Sequence, residues 1–271
     1  MKLCVLGSGS KGNAVLMQSC QTRILIDAGF STRVMAKRLG AIGVDPKSIE
    51  AVIVTHEHID HAKGAAAASK KWGWQLYATE GTRGACTGLA EADTRTIASD
   101  GCFHIGDLEI RMIGTSHDAV EPIAIVAMGK PTGVRAAIVY DLGVMSHGIA
   151  RAMEGVEILM LESNYDGDML RNGPYPLSLQ RRIAGREGHL SNRASAAAAA
   201  ACAHKGLAHV VLAHLSEVNN TSQLATETME RALKRTIFRG KLTIGEQDSP
   251  SRTISASRAS DYAGPQLSLS L

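Results

Sequence analysis

The sequence predicts an α/β protein with two β-sheets and helices packed outside them. Short apolar runs alternate with turn residues along the first third. Helical periodicity appears between some of these runs. A loose order of two strands, helix, strand, helix recurs in each half, which fits two sheets better than one parallel sheet. With 271 residues, 45% of them hydrophobic and 20% charged, the chain can build a sizeable core.

The elements follow in order. KLCVL, AVLMQS, RILIDAG and AVIVTH read as four strands, separated by the turn segments GSGSKGN and CQT and by a helix. That helix, STRVMAKRLGAIG, places Val34, Met35, Leu39 and Ile42 at helical spacing. A second helix is expected over AKGAAAASKKWG. Further strands are expected at LYA, CFHI, LEIRMIGT, AIVAMG, AAIVYDLG, VEILMLESN and HVVLAHL. SNRASAAAAAACAHKG reads as a helix with Ser191 or Asn192 as N-cap and Gly206 as its stop. TSQLATETMERALKR is the last helix. One domain is expected over residues 1–245, followed from Glu246 by a Ser-rich, flexible or lightly docked C-terminal tail, 246–271.

Composition narrows the classes. A net charge of +3 is far from that of a strong electrostatic nucleic-acid binder, so any grip on a polyanion is local. Cys4, Cys20, Cys86, Cys102 and Cys202 are odd in number and form no CxxC, as expected of free thiols in a reducing compartment. The N-terminal apolar run is interrupted too early for a signal peptide, and no stretch approaches membrane-spanning length. A cytoplasmic protein without a membrane partner is expected. Gly7, Gly9 and Gly12 form a GxGxxG after a strand, but a hairpin rather than a helix follows, which argues against a dinucleotide site. An alternative use of Ser8, Ser10, Lys11 and Asn13 is a polar loop beside an active site.

The densest chemistry follows AVIVT. His56-Glu57-His58-Ile59-Asp60-His61 puts three imidazoles and two carboxylates into six residues. Alternation along an extended segment places His56 and His58 on one side, and a turn can swing Asp60 and His61 toward a second point. One segment can thus serve two cations. Imidazole and carboxylate without thiolate suit Zn(II), Mn(II) or Fe(II). His117, Asp141 and His214 lie just after other strands and could complete the ligand set, whereas His104, His147, His204 and His209 read as structural or surface residues.

HxHxDH after a strand, the earlier DAG and the later His, Asp and His together resemble the metallo-β-lactamase superfamily over residues 1 to about 240. Within it, GSGSKGN, TSHDA, DLG, LESNYD, GPYP, GHLSN and LAHLSEVNN resemble the YycJ/WalJ-type metallo-hydrolases, which are similar to 5'-to-3' DNA exonucleases. The resemblance implies an αββα four-layer sandwich. It also implies that His56, His58 and His117 hold one metal, that Asp60, His61 and His214 hold a second, that Asp141 bridges them, and that Asp27 orients the ligand loop.

Two divalent metals in such a site imply phosphodiester hydrolysis with water as the nucleophile. A departing sugar oxygen then needs a proton, for which His189 is the candidate. GHLSN and the helix after it are similar to a stretch in tRNA 3'-processing members of the superfamily, where a histidine pairs with a glutamate. Glu162 would be that partner here. Ser191 and Asn192 at a helix start, and Ser216, Asn219 and Asn220 beside His214, are the expected substrate contacts. Residues 171–193 carry five arginines against Glu187, either a track for a nucleic-acid backbone or a solvated face.

The leading expectation is therefore a dinuclear metal-dependent phosphodiester hydrolase acting as a 5'-to-3' exonuclease on DNA. The alternatives are a small-molecule (cyclic) phosphodiesterase, a thioester or lactam hydrolase, and a non-catalytic binding module.

Overall fold

The computed structural model describes residues 1–258. Its strands are β1 (Lys2–Gly7), β2 (Ala14–Gln18), β3 (Arg23–Ile26), β4 (Ala51–Ile53), β5 (Gln75–Thr79), β6 (Thr94–Ile97), β7 (Cys102–Ile105), β8 (Leu108–Gly114), β9 (Ile123–Gly129), β10 (Arg135–Val139), β11 (Ile158–Glu162), β12 (His209–Ala213), β13 (Lys241–Ile244) and β14 (Ile254–Ser255). The helices are α1 (Thr32–Ala41), α2 (Ile59–Ala62), α3 (Ala65–Trp72), α4 (Glu80–Ala85), α5 (Thr87–Glu91), α6 (His147–Met153), α7 (Gly167–Asn172), α8 (Leu177–Ile183), α9 (Asn192–Ala201) and α10 (Ser222–Leu233).

Two seven-stranded mixed sheets form, in the orders β14-β1-β2-β3-β4-β5-β6 and β13-β12-β11-β10-β9-β8-β7. In the first, β1, β2 and β3 pair antiparallel and β3 through β6 parallel. In the second, β7 through β10 pair antiparallel and β10 through β13 parallel.

Strand alternation builds the layers. Leu3, Val5, Val15, Met17, Ile24 and Ile26 face Ile110, Ile125, Ile138 and Met160 in a core between the sheets. Their neighbours Leu6, Leu16 and Leu25 point outward onto Met35 and Leu39 of α1 and Ala65 and Ala68 of α3. On the other side Val139, Leu159, Leu161 and Val210 pack against α6, α9 and α10. Helix, sheet, sheet, helix is the expected four-layer αββα order.

The expected strands and long helices are all present. Ser191 is the N-cap of α9, accepting from the Ala194 N–H, but that helix ends at Ala201, well before Gly206. Over residues 246–258 the segment expected to be flexible or lightly docked is docked. Ser8 N–H donates to Glu246 O, Ser251 Oγ accepts from Val5 N–H, Ile254 pairs with Leu3, and Arg258 bonds Glu157 at 2.7 Å. Two buried apolar residues, Ile254 and Ala256, and a few polar anchors suffice to dock a Ser-rich segment at a sheet edge. The rest of the expected tail, 259–271, lies outside the described residues. The five cysteines are free, and no helix among the described residues is long and apolar enough to cross a membrane.

Candidate metal centre

The C-terminal ends of β3, β4, β10, β11 and β12 converge on one side of the sandwich and deliver Asp27, His56, Asp141, Glu162 and His214. β4 leads through Val54 and Thr55 into His56, and His58 is the N-cap residue of α2, which carries Asp60 and His61. The loop after β8 supplies His117.

The imidazoles are aimed by what holds their far nitrogens. His56 Nδ1 lies 3.1 Å from Thr55 Oγ1, His61 Nδ1 lies 2.7 Å from Asp27 Oδ2, and His117 Nδ1 lies 3.1 Å from Gly188 O. His58 is turned the other way, with Nε2 3.2 Å from Asp118 O and Nδ1 3.3 Å from His117 Nε2. Each ring therefore presents one nitrogen to the centre while a neighbour fixes the other, as metal-binding histidines require.

Asp27 anchors this arrangement. It is fully buried and accepts from Thr55 N–H (2.7 Å), Thr55 Oγ1 and Tyr140 OH (2.5 Å) besides facing His61. The glycine of DAG is needed for contact: a Cβ on Gly29 would stand 1.7 Å from Asp60 O. Asn13, also fully buried, faces Asp60 Oδ2 at 3.2 Å and His61 Nε2 at 3.0 Å. Ser8 Oγ accepts from His214 N–H. The GSGSKGN segment is thus a polar loop beside the site, and it leads into β2 rather than into a helix.

Three groupings have ligand atoms within 4.8 Å of one another: His56, His58 and His117; His56, His61 and Asp141; and Asp60, His61 and His214. His56 Nε2 and His214 Nε2 are buried without a hydrogen-bond partner. Buried imidazole atoms left in this state are costly unless something fills the space between them. Asp27, Asp141 and Glu162 are buried, and no salt bridge joins any of them to Lys or Arg among the described residues. Buried carboxylates that face only imidazoles, beside imidazole nitrogens left without a partner, fit a divalent cation.

The same charges set the protonation tendencies. Burial disfavours the His61 cation, but Asp27 and Asp141 hold its pKa well above the ordinary value. His214 behaves alike through Asp141 and Asp60. His56 is pushed well below the ordinary value by burial and by the neighbouring His61. Burial would raise Asp60, yet His214 and His61 hold it far down.

A fourth grouping joins Asp141, Glu162, His189 and His214. Here Glu162 Oε1 lies 2.7 Å from His189 Nδ1 and 3.1 Å from His214 Nδ1, while its Oε2 accepts from Leu142 and Leu190 N–H. Burial would lower His189, but Glu162 and Asp141 push it up to about 9. The expected His189–Glu162 pair is therefore in hydrogen-bond contact, with His189 on the wall of a cavity of about 220 Å3 shared by His58, Asp60, His117, Asp141 and His214.

The expected substrate contacts are not on that wall. Asn192, Asn219 and Asn220 are buried. Asn220 Nδ2 donates to Ser163 O, Asn164 O and Asn192 Oδ1, Asn192 Nδ2 donates to Asn220 Oδ1, and Asn192 N–H is taken by Tyr165 O. Ser191 Oγ is occupied in capping α9, and Ser216 Oγ accepts from Val218 and Asn219 N–H. Asn192 and Asn220 thus brace the loops carrying Glu162 and His214. Of the basic stretch, Arg182 reaches the wall. It bonds Asp118, whose carboxyl burial would raise and the arginine holds below the usual range. Thr55, Tyr140, Asn164 and Asp118 were not singled out from sequence. The available signal was position, since each directly precedes or follows a ligand or the paired Glu162-Ser163.

Residues 22–215 match the model of the beta-lactamase superfamily domain. The chain belongs to the metallo-β-lactamase superfamily. Within that superfamily it is 33% identical over 238 residues to exodeoxyribonuclease YycJ of Bacillus anthracis, covering 86% of this chain and 89% of that one. Exodeoxyribonuclease WalJ of Streptococcus pneumoniae is also 33% identical, over 86% of this chain and 88% of its own length. Among solved structures, the metallo-β-lactamase fold protein YhfI from Bacillus subtilis has a TM-score of 0.68 at 17% identity, covering 92% of this chain and 98% of that one, and shares the fold. In this superfamily member the expected ligands from β4, α2, β8, β10 and β12 meet on one edge of the sandwich.

Proposed function

We propose that this chain is a dinuclear metal-dependent exodeoxyribonuclease that hydrolyses DNA from the 5' end. The observation behind this reading is the grouping of the seven His and Asp side chains around adjacent points on one cavity. Added to it is the match, over 86% of the chain, to proteins named exodeoxyribonucleases. The polarity rests on the motif resemblance. His56, His58 and His117 would hold one ion, Asp60, His61 and His214 the other, with Asp141 between them. Zn(II), Mn(II) and Fe(II) all suit this donor set. When bound, such a pair supplies an activated water and neutralises charge on the attacking and departing oxygens.

The chain's own residues do the rest. Asp27, Thr55 and Gly188 keep the ligand imidazoles in one tautomer. Glu162 holds His189 through Nδ1, leaving Nε2 to give a proton to the departing sugar oxygen. With no base-reading side chain proposed, cleavage is independent of sequence.

Digestion of a 5'-phosphorylated, 3'-labelled oligonucleotide with Mn(II), beside the Asp60→Ala variant, tests this. Mononucleotides released stepwise from the 5' end by the unmodified chain alone support it. Hydrolysis of bis(p-nitrophenyl) phosphate with the oligonucleotide left whole overturns it in favour of a small-molecule phosphodiesterase.

A further inference from the structure

On the cavity wall, among the described residues, Arg182 is the only lysine or arginine, and Asp118 is the only carboxylate outside the proposed ligand set. The two are paired. Arg182 Nε lies 2.7 Å from Asp118 Oδ2, and Nη2 contacts the same oxygen. Both bonds use one edge of the guanidinium, and Nη1 has no protein partner among the described residues. The other carboxylate oxygen of Asp118 faces the metal ligands, with Oδ1 3.3 Å from His117 Nε2 and 3.9 Å from His58 Nε2.

This placement is not an accident of a loose surface chain. The backbone that follows Arg182 is stitched to the His117 loop. Ser116 Oγ donates to Arg186 O, Asp118 N–H donates to Glu187 O, and Gly188 O faces His117 Nδ1. Gly143, whose N–H donates to Ser116 O, is pressed so close that a Cβ there would stand 2.3 Å from Gly185 O. The segment that follows α8 is therefore held against the site, which places Arg182 beside the cavity.

An anionic substrate entering this cavity meets Asp118 as well as the metal ligands. An unneutralised carboxylate on the wall repels a phosphate, whereas a guanidinium can hold a carboxylate on one edge and offer N–H donors to phosphate oxygens on another. We infer that Arg182 is the phosphate-anchoring residue of the substrate site, held ready by Asp118, which acts as a positioning residue. The inference rests on the phosphodiester reading above and deepens it by naming what grips the strand. It also assigns a task to one arginine of the basic stretch, distinct from general attraction by the other four.

The test uses the metal-loaded full chain with Arg182→Gln, Arg182→Lys, Asp118→Asn and the double variant Arg182→Gln/Asp118→Asn. Metal stoichiometry and melting temperature serve as controls for folding. Arg182→Gln is expected to raise KM for a 5'-phosphorylated oligonucleotide, and the inhibition constant of inorganic phosphate, by roughly 10- to 100-fold, with the loss falling on KM rather than kcat. Arg182→Lys keeps the charge but lacks the fork, so it recovers part of the loss. Removing the opposing carboxylate in the double variant also recovers part of it. An unchanged KM in Arg182→Gln, or a loss confined to kcat, overturns the anchoring role. Asp118→Asn alone, with Arg182 kept, is expected to raise the same KM by freeing the guanidinium, and an unchanged KM there overturns the positioning role of Asp118. A double variant no better than Arg182→Gln overturns the repulsion by its carboxylate. If the unmodified chain cleaves neither DNA nor bis(p-nitrophenyl) phosphate, the functional reading fails separately. Calorimetric binding of inorganic phosphate to the metal-loaded chain then decides the anchor, with equal affinity in Arg182→Gln overturning it.

Discussion

Replacing Asp27 by Asn separates its structural work from its control of His61. Asp27 Oδ1 accepts from Thr55 N–H, and Oδ2 faces His61 Nδ1 and Tyr140 OH. An asparagine of the same shape must keep its carbonyl oxygen on the Thr55 N–H, which places its NH2 against His61 Nδ1. Two donors cannot face each other, so His61 moves its proton from Nδ1 to Nε2, the nitrogen that faces Asp60 and Asp141. A protonated Nε2 cannot bind a cation. Loss of such a supporting contact typically reduces metal affinity about 10- to 100-fold, or about 1.4–2.7 kcal/mol. Because the shape is kept and Asn tolerates the left-handed backbone at this position (φ 63°), the fold survives. Asp27→Ala differs. It leaves four buried donors without an acceptor and is expected to destabilise the metal-free chain by about 3–5 kcal/mol, a fall in Tm of roughly 6–20 °C. Calorimetric Mn(II) titration should show one weakened and one retained site in Asp27→Asn. Unaltered affinity at both sites, or an Asp27→Ala protein melting within about 2 °C of the unmodified chain, would refute the reasoning.

Two further outcomes are expected. His189→Ala should lower turnover on DNA by about 100-fold or more while sparing bis(p-nitrophenyl) phosphate, whose leaving group needs no proton, and equal loss on both substrates in parallel assays would assign His189 a structural role instead. Asp107 accepts from the backbone of Cys20, Gln21 and Thr22 and so ties the β2–β3 turn to the β7–β8 turn. Burial would raise its pKa, but bonds from Thr22, Ser19 and Gln21 hold it below the ordinary value. A depressed folded pKa means that its stabilisation is complete above the unfolded value near 4 and is lost as pH falls through the folded value. Asp107→Asn should therefore melt about 2–4 °C below the unmodified chain at neutral pH, with the gap closing as pH falls below about 4, and a gap independent of pH counts against the assignment.

The candidate ligands were legible because they combine dense chemistry with strand ends. AVIVT is apolar enough to mark β4, and a cluster of imidazoles directly after it has few structural uses. The short elements were not. β6 exposes Arg95 and Thr96 and has little apolar alternation, and β14 is two residues long. Both form because a sheet edge is already there to pair with. Helices α4 to α8 have seven residues or fewer, too few to show a period. The polar residues after His214 are a different case. Ser216, Asn219 and Asn220 read as substrate contacts, yet the backbone carbonyls of Ser163 and Asn164 need buried donors, and Asn220 supplies them. Sequence shows that a side chain is polar but not which of two partners, backbone or substrate, it meets.

Backbone conformation explains why one part of the site was readable and the other was not. Among the described residues, the non-glycine positions with positive φ are Asp27, Asp141 and His214, at 63°, 53° and 54°. Each follows within two residues of a strand end, Asp27 on the first sheet and Asp141 and His214 on the second. The left-handed turn costs about 1 kcal/mol or more at each, and swings the side chain from the strand line into the seam between the sheets. The cluster that forms there opposes that cost. His61, Thr55 and Tyr140 bond Asp27, and Asp141 and Glu162 bond His214. Strain therefore sits on the residues that must be aimed, and the two sheets set their separation. A candidate ligand set fixed by sheet ends is carried by local sequence, within a few residues of each strand. The wall that meets the substrate is carried instead by α8, a seven-residue helix whose position depends on backbone contacts with the His117 loop, and no local pattern announces it.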